Sequence, residues 1–62
     1  ELLERLFVYY LKHIDLLPGY YLQMLEDGEE NDRVVCDYIA GMTDTYAVKK
    51  FTEFFIPESW KN

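Results

Sequence analysis

The stretch "RVVCDYIAGMTDTYAV", Arg33 to Val48, decides how many helices this chain can form. In its first half, four apolar residues recur at the spacing of one helix face: Val35, Tyr38, Ile39 and Met42. Gly41 interrupts that face, and a glycine inside a helix costs about 1 kcal/mol relative to alanine. Thr43 and Asp44 prefer helix starts to helix interiors, because their side chains bond to nearby backbone groups. The stretch therefore predicts a break from Gly41 to Thr43, with a helix on each side.

One continuous helix is the alternative interpretation of the same residues. Ala40 and Gly41 would then form a face without bulky side chains, which another backbone could approach closely. With a break, Thr43 or Asp44 caps a fourth helix whose apolar side is formed by Ala47, Val48, Phe51, Phe54 and Phe55. Pro57 is expected to stop that helix, and the tail "IPESWKN" is expected to hold Trp60 against the body.

The first helix is predicted from "ELLERLFVYYLKHID", residues 1–15. Its apolar residues recur at three- and four-residue steps and draw one stripe along the helix. That stripe consists of Leu2, Leu3, Leu6, Phe7, Tyr10, Leu11 and Ile14. Residues 15–17 then form a short connection.

A second helix is predicted over "PGYYLQMLED", because Pro18 suits the first helical position and Gly28 can end the helix in a left-handed conformation. Tyr21, Leu22 and Leu25 mark its buried side. The linker "DGEEND" is expected to be a solvated acidic turn, since it lacks the alternating ligands of an EF-hand loop. Asn31 or Asp32 is expected to cap the third helix. The sequence therefore predicts an all-α fold of about four short helices.

Composition excludes several classes of protein. The net charge is −6 and the six basic residues are scattered, whereas a nucleic-acid surface that tracks phosphates needs the opposite balance. No apolar run approaches the roughly 20 residues of a membrane span, and no segment resembles a signal peptide. The single cysteine, Cys36, cannot form a disulfide within the chain, which fits a cytoplasmic location. We therefore expect neither nucleic acid nor membrane as a partner.

The aromatic content of 18% is high for a 62-residue chain, which has little interior in which to bury such side chains. The chain also begins at Glu1, inside a predicted helix, rather than at a methionine. Both observations indicate that residues 1–62 form one helical region of a longer polypeptide and dock onto something else.

The residues predict no catalytic constellation and no metal site within the chain. His13 is the only histidine, and it is interpreted as a residue that benefits from the helix dipole near a C-terminus. Cys36 has no histidine near it in sequence and is expected to be a small buried hydrophobe. Asp37 and Asp44, seven residues apart, would lie about 10.5 Å from each other along a continuous helix, too far to share a proton.

Two tyrosines allow two interpretations. Tyr38 and Tyr46 could stack on a nucleotide base, or they could fill the core while their hydroxyl groups reach a partner. We favour the core interpretation.

The string "RVVCDYIAGMTDTYAVKKFTEFFIPESW", and above all the octapeptide "DYIAGMTD", resembles the C-terminal region of bacterial deoxynucleoside triphosphate triphosphohydrolases. These are the dGTPase-like branch of the HD-domain phosphohydrolases. The matching residues are Cys36 to Asp44, Tyr46, Ala47, Pro57, Ser59 and Trp60, and the upstream "LFVYYLKHIDLLPGYY" extends the resemblance to essentially the whole chain. The chain departs from this pattern at Thr45, where the family most often has arginine.

The resemblance implies a function for the parent protein rather than for this piece alone. In the family, a divalent metal of the Mg or Mn type is held by histidine and aspartate motifs that do not occur here, and water attacks the α-phosphorus of a dNTP to release a deoxynucleoside and triphosphate. Residues 1–62 would be the HD-associated, non-catalytic helical region. Its implied partners are the N-terminal HD catalytic region of the same protein and further copies in a homo-oligomer.

The residues that could line or brace the substrate pocket of such a protein are Asp37, Tyr38, Thr43, Asp44 and Tyr46. With Thr45 in place of arginine, a nucleotide contact by this turn would lack a bidentate donor. The alternative function is an independent small acidic helical module that binds a protein partner through its aromatic face.

Overall fold

The computed structural model of the protein describes residues 1–56 and contains four α-helices in that range. They are α1 (Leu2–Lys12), α2 (Gly19–Glu26), α3 (Asn31–Ala40) and α4 (Asp44–Phe55), with a 3-10 turn at Ile14–Leu16 between the first two. The described residues contain no strand, so the all-α prediction is confirmed. The predictions for Pro57 and Trp60 lie outside the described residues.

The core forms where α1 packs against α3 and α4 and where α2 packs against α3. Its buried side chains are Leu6 and Tyr10 of α1, Leu17 of the connection before α2, Val34, Val35, Tyr38 and Ile39 of α3, and Ala47 of α4. Because α3 has neighbours on two sides, it buries a wider arc than a single stripe. Val34, which is fully buried, was missed by the sequence pattern for this reason, whereas Leu3 stays 44% exposed although the predicted stripe included it.

The first helix is shorter than predicted and ends at Lys12. His13 leaves the helical conformation (φ −133°, ψ 61°), and a 3-10 turn follows. Further along the connection, Pro18 disfavours the helical conformation of the residue before it. Leu17, which precedes Pro18, is extended (φ −67°, ψ 147°) and 3% exposed. The tight turn thus redirects the chain and brings Leu17 into the core.

The second helix begins after Pro18, whose carbonyl oxygen accepts from the backbone N–H groups of Tyr21 at 2.9 Å and Leu22 at 3.1 Å. Pro18 is therefore the N-cap rather than the first helical residue, one position from the prediction. Gly28 has φ +105°, which confirms the predicted left-handed end. The predicted inner side of the helix, Tyr21, Leu22 and Leu25, is partly buried and packs against the core.

Two crossed hydrogen bonds close α2 at Gly28. The Gly28 N–H donates to the Leu25 carbonyl oxygen at 3.0 Å, and the Glu29 N–H donates to the Met24 carbonyl oxygen at 3.1 Å. This is a Schellman motif, which pairs carbonyl groups that the helix end would otherwise leave open.

The acidic turn leads into α3 without a side-chain cap. The acidic side chains of the turn are exposed, as predicted. Glu30 is the N-cap and Asn31 the first helical residue, so the helix begins where expected but neither Asn31 nor Asp32 caps it. The Asp32 carboxylate instead accepts from the adjacent Arg33 N–H at 2.8 Å, a contact too local to reach the N–H groups further along the first turn.

The break that "RVVCDYIAGMTDTYAV" predicts is present. α3 ends at Ala40, Gly41 follows as C-cap (φ −87°, ψ −2°), and Thr43 is the N-cap of α4. The single-helix interpretation is therefore wrong. On α4, Ala47 is buried and Phe51 and Phe54 pack against the core, as predicted. Phe55 is 37% exposed, but its ring contacts Tyr9 of α1 at 5.4 Å between centroids. Val48 is 52% exposed and was wrongly placed on the inner face, because α4 packs mainly on α1 and Val48 lies beside that contact.

Within residues 1–56, no helix is both long and apolar enough to cross a membrane.

Opposite effects are expected from alanine at Gly28 and at Gly41. At Gly28, φ +105° strains any residue with a Cβ atom, so Gly28→Ala should lower the free energy of unfolding by about 1–2 kcal/mol. At Gly41, a Cβ atom would meet only the Tyr38 carbonyl oxygen at 3.6 Å and the Asp37 carbonyl oxygen at 3.7 Å, which is ordinary contact. Gly41→Ala should raise the free energy of unfolding by about 0.4–1 kcal/mol through lost freedom of the unfolded chain. Urea unfolding followed by circular dichroism measures both, and equal effects of the two substitutions would contradict this account of the α2 end.

Candidate functional site

The five residues singled out from the sequence lie around the corner between α3 and α4. Asp37 and Tyr38 belong to the last turns of α3, whereas Thr43 and Asp44 begin α4. Tyr38 is buried at 8% exposure and Tyr46 is 37% exposed at the rim, while Asp37, Thr43 and Asp44 are exposed. The corner thus combines a buried tyrosine with polar groups at the surface.

The side chain of Thr43 fixes the start of α4. Its Oγ1 accepts from the Tyr46 N–H at 3.1 Å, and its carbonyl oxygen accepts from the Ala47 N–H at 2.9 Å. A threonine at this position satisfies one of the N–H groups that a helix start leaves without a partner. The cap therefore positions Tyr46 on the first turn of α4.

Tyr38 links all four helices through aromatic contacts and one hydrogen bond. Its ring centroid lies 5.2 Å from that of Tyr10 on α1, edge-on, and 5.0 Å from that of Tyr21 on α2. Its hydroxyl oxygen lies 3.2 Å from that of Tyr46 on α4, and either oxygen can be the donor. The core interpretation of Tyr38 is therefore correct, and its hydroxyl does reach a partner, whereas Tyr46 lies at the edge of the core.

A shallow pocket opens above this hydroxyl pair. Its lining residues are Tyr21, Tyr38, Gly41, Met42, Thr43 and Tyr46. Three of the five candidate residues, Tyr38, Thr43 and Tyr46, thus share one pocket. Asp37 and Asp44 do not line it, and the break in the helix removes the common face that a continuous helix would have given them.

The pocket has a neutral, phenolic character. Burial raises the pKa of Tyr38 well above the usual value for a phenol, and the hydrogen bonds with Tyr46 and Tyr10 raise it further. Burial likewise raises the pKa of Tyr10. Both phenols therefore stay protonated at neutral pH, so they can supply hydrogen bonds and aromatic surface but no base.

A lysine lies beside the tyrosines. The Lys50 ammonium group is 3.3 Å from a Glu53 carboxylate oxygen and 5.6 Å from the centre of the Tyr46 ring. Burial opposes its charge, but Glu53, Tyr46 and Tyr10 together outweigh burial and raise the pKa of Lys50. Lys50 is therefore a fixed cation that packs on the aromatic edge of the core.

Cys36 differs from its sequence interpretation, and His13 makes a contact that the sequence analysis did not predict. Cys36 is exposed, because α3 turns Val35 and Ile39 toward α1 and leaves Cys36 beside the contact. His13 follows α1, as expected, but its ring also packs on Tyr9 at 4.4 Å between centroids. Tyr9 in turn stacks on Phe54 of α4 at 4.3 Å. Sequence reasoning missed this aromatic row, and the spacing of four residues between Tyr9 and His13 was the available signal.

Among residues 1–56, no group of three or more histidine, cysteine, aspartate or glutamate side chains could hold a metal ion.

A comparison with known protein families shows which family this helical domain belongs to. Residues 1–53 match the model of the phosphohydrolase-associated domain. The chain belongs to this family. It is 43% identical over 61 residues to a deoxyguanosinetriphosphate triphosphohydrolase-like protein of Caldanaerobacter subterraneus subsp. tengcongensis, a match that covers 97% of this chain and 17% of that protein. No solved structure matches significantly.

Other relatives carry the same description. A deoxyguanosinetriphosphate triphosphohydrolase-like protein of Geobacter sulfurreducens is 51% identical over 55 residues, covering 89% of this chain and 14% of that protein. A third, from Caulobacter sp. (strain K31), is 36% identical over 62 residues, and the match covers 97% of this chain and 16% of that protein. The predicted resemblance to dGTPase-like proteins is confirmed. The phosphohydrolase-associated domain described here spans about one sixth of the length of these curated relatives.

The hydroxyl cluster of this phosphohydrolase-associated domain should make its stability depend on alkaline pH. Because the pKa of Tyr38 is higher in the folded chain than the 10.0 of an ordinary phenol, the unfolded chain loses this proton first as the pH rises. The stability from this group is complete below about pH 10 and falls above it by up to about 1.4 kcal/mol per pH unit. Tyr38→Phe should flatten that fall in urea unfolding at a series of pH values. Tyr20→Phe, at a 74% exposed position, should leave it unchanged, and an unchanged slope for Tyr38→Phe would contradict the assignment.

Proposed function

We propose that this phosphohydrolase-associated domain is a non-catalytic helical part of a polypeptide that hydrolyses dGTP or a related dNTP to the deoxynucleoside and triphosphate. The observation that carries the proposal is the similarity of nearly the whole chain to proteins described as deoxyguanosinetriphosphate triphosphohydrolase-like. The role of the domain in that polypeptide would be to brace the HD catalytic region. Its location would be the cytoplasm, where dNTP pools are used.

The divalent metal of such a reaction does not fit the described residues of this domain, which bring no three suitable ligands together. We therefore place the Mg or Mn site in the remaining part of the polypeptide. A metal there would activate water and neutralise phosphate charge. The dNTP would bind at that centre, and the tyrosine pocket at the α3–α4 corner would at most border it.

A bracing role is supported by the apolar side chains that the domain leaves at its surface. The larger ones are Leu3, Val8, Leu16, Tyr20, Tyr46, Val48 and Phe55, with exposures between 37% and 74%. So many apolar side chains on so small a domain indicate contact with other protein surface. We propose the HD catalytic region of the same polypeptide as the main partner, with part of this surface available for contacts between subunits of a homo-oligomer.

The activity is tested on the complete polypeptide with dGTP and Mg²⁺ or Mn²⁺, with the products separated by ion-exchange chromatography. The expected products are deoxyguanosine and triphosphate in equal amounts, and removal of the metal by a chelator should stop the reaction. Release of dGDP and phosphate, or of dGMP and pyrophosphate, would contradict the proposed reaction. No hydrolysis of any dNTP, together with a polypeptide that lacks histidine and aspartate metal motifs, would favour the independent interaction module.

The bracing role is tested with two alanine variants of the same complete polypeptide. Tyr10 is 1% exposed in the core, and Tyr10→Ala should cost about 3–5 kcal/mol in local stability. If the domain braces the catalytic region, this variant should lose hydrolysis activity on heating at a clearly lower temperature than the unmodified protein. Lys49→Ala, at an exposed polar position of α4 outside the apolar surface, is the control and should behave like the unmodified protein. Unchanged heat inactivation of the Tyr10→Ala protein, with the local loss of helix seen by circular dichroism, would contradict bracing.

A further inference from the structure

A groove runs between α1 and α3, and none of the residues that line it lines the tyrosine pocket. We call it the α1/α3 groove, and its apolar lining residues are Leu3, Phe7 and Val8 of α1 with Cys36, Ile39 and Ala40 of α3. Ile39 is 9% exposed and lies deep, whereas Leu3 and Val8 are 44% and 48% exposed and form a wall. Cys36 and Ala40 are exposed and form the opposite wall. The groove thus presents apolar surface to the outside.

The shape of the groove suits a helix. Leu3 and Phe7 on one side, and Cys36 and Ala40 on the other, are each four residues apart. Side chains at that spacing form ridges along a helix, and the ridges of a neighbouring helix pack into the groove between them. Cys36 and Ala40 have small side chains, so a third helix could approach α3 closely. Recognition of an apolar helix face by a groove of this kind is a common mode of protein contact.

We infer that the α1/α3 groove seats the apolar face of a helix from the part of the polypeptide outside these 62 residues. This inference rests on the proposed function and names the surface through which the domain would brace the catalytic region. The relatives are about six times as long as this chain, so most of such a polypeptide is available to fill the groove. A segment of the same polypeptide also binds at a high effective concentration, which a separate molecule lacks.

Charge indicates which helix fits. Glu4 is the charged side chain among the residues that line the groove, and it is exposed at the rim. The occupying helix should therefore place a lysine or arginine opposite Glu4, beside its apolar face. A second copy of this chain is a poorer occupant, because two surfaces of chains with net charge −6 would repel each other.

The thiol of Cys36 reports directly on whether the groove is covered. The complete polypeptide is treated with N-ethylmaleimide under native conditions, and the labelled peptides are quantified by mass spectrometry. A Lys49→Cys variant supplies a reference thiol, because Lys49 is exposed on α4, does not line the groove and is not one of the exposed apolar side chains. We expect Cys36 to react at least about tenfold more slowly than the thiol at position 49 in the native protein, and at a similar rate in denaturant, because reactivity follows access to the thiolate.

A second pair of variants tests the groove as the cause of the protection. Ala40→Glu places a charge on the wall of the groove and should raise the labelling rate of Cys36 toward that of the reference thiol. Gln23→Glu adds one negative charge, as Ala40→Glu does, at an exposed polar position of α2 outside the groove, and it should leave Cys36 protected. Circular dichroism of both variants shows whether the helices remain. If Ala40→Glu loses helix, the milder Ala40→Ser takes its place, and a smaller increase in the labelling rate of Cys36 is expected.

Three outcomes would overturn the inference. In the first, Cys36 in the native polypeptide reacts as fast as the reference thiol. In the second, protection is equal in the Ala40→Glu and Gln23→Glu proteins. In the third, protection disappears on dilution of the polypeptide, which would assign the groove to a second copy. None of these measurements uses a nucleotide, so a failure here is distinguishable from a failure to hydrolyse dGTP.

Discussion

The structure depends on the burial of Tyr10 between three helices. Only 1% of this residue is exposed, and its ring meets Tyr38 of α3 edge-on at 5.2 Å and Phe54 of α4 edge-on at 5.5 Å. An aromatic ring in such a position contributes a large buried area and fixes the relative orientation of its neighbours. Because α1 thereby contacts both α3 and α4, these two helices share one core although a break separates them in the chain. A tyrosine hydroxyl in a core needs a hydrogen-bond partner. The hydroxyl groups of Tyr10, Tyr38 and Tyr46 form a series that leads from the core to the surface.

Five residues of the octapeptide "DYIAGMTD" have a structural role in this arrangement. Tyr38 and Ile39 are core residues, Ala40 forms a wall of the α1/α3 groove, and Gly41 ends α3. Thr43 then caps α4. Each of these roles concerns packing or the change of direction between two helices. The octapeptide on which the resemblance was based therefore builds the corner between α3 and α4, which accounts for its mixture of apolar, small and polar residues.

The sequence was sufficient to predict the features that depend on local physics. The break from Gly41 to Thr43 and the left-handed end at Gly28 follow from the backbone preferences of single residues, and both are present. The end of α1 at Lys12 did not follow from the apolar stripe, because the requirement to bury Leu17 comes from the next segment. The exposure of Cys36 was missed for a similar reason. Periodicity shows which residues share a helix face, but the neighbour that covers the face is set by the tertiary fold.

The candidate site shows the same division between local and tertiary information. Tyr38, Thr43 and Tyr46 were named from their sequence context, and they line one pocket, whereas Asp37 and Asp44 remain apart at the surface. The pocket contains phenols that stay protonated because they are buried, so it can orient or enclose a neighbour but cannot abstract a proton. The domain offers neutral hydrogen bonds at the tyrosine pocket and apolar side chains in the α1/α3 groove, and both fit the supporting role proposed above. Among residues 1–56, eight apolar residues are buried, which is a thin core, and further apolar side chains are exposed. If the chain is part of a longer polypeptide, as proposed, those exposed side chains would extend this core.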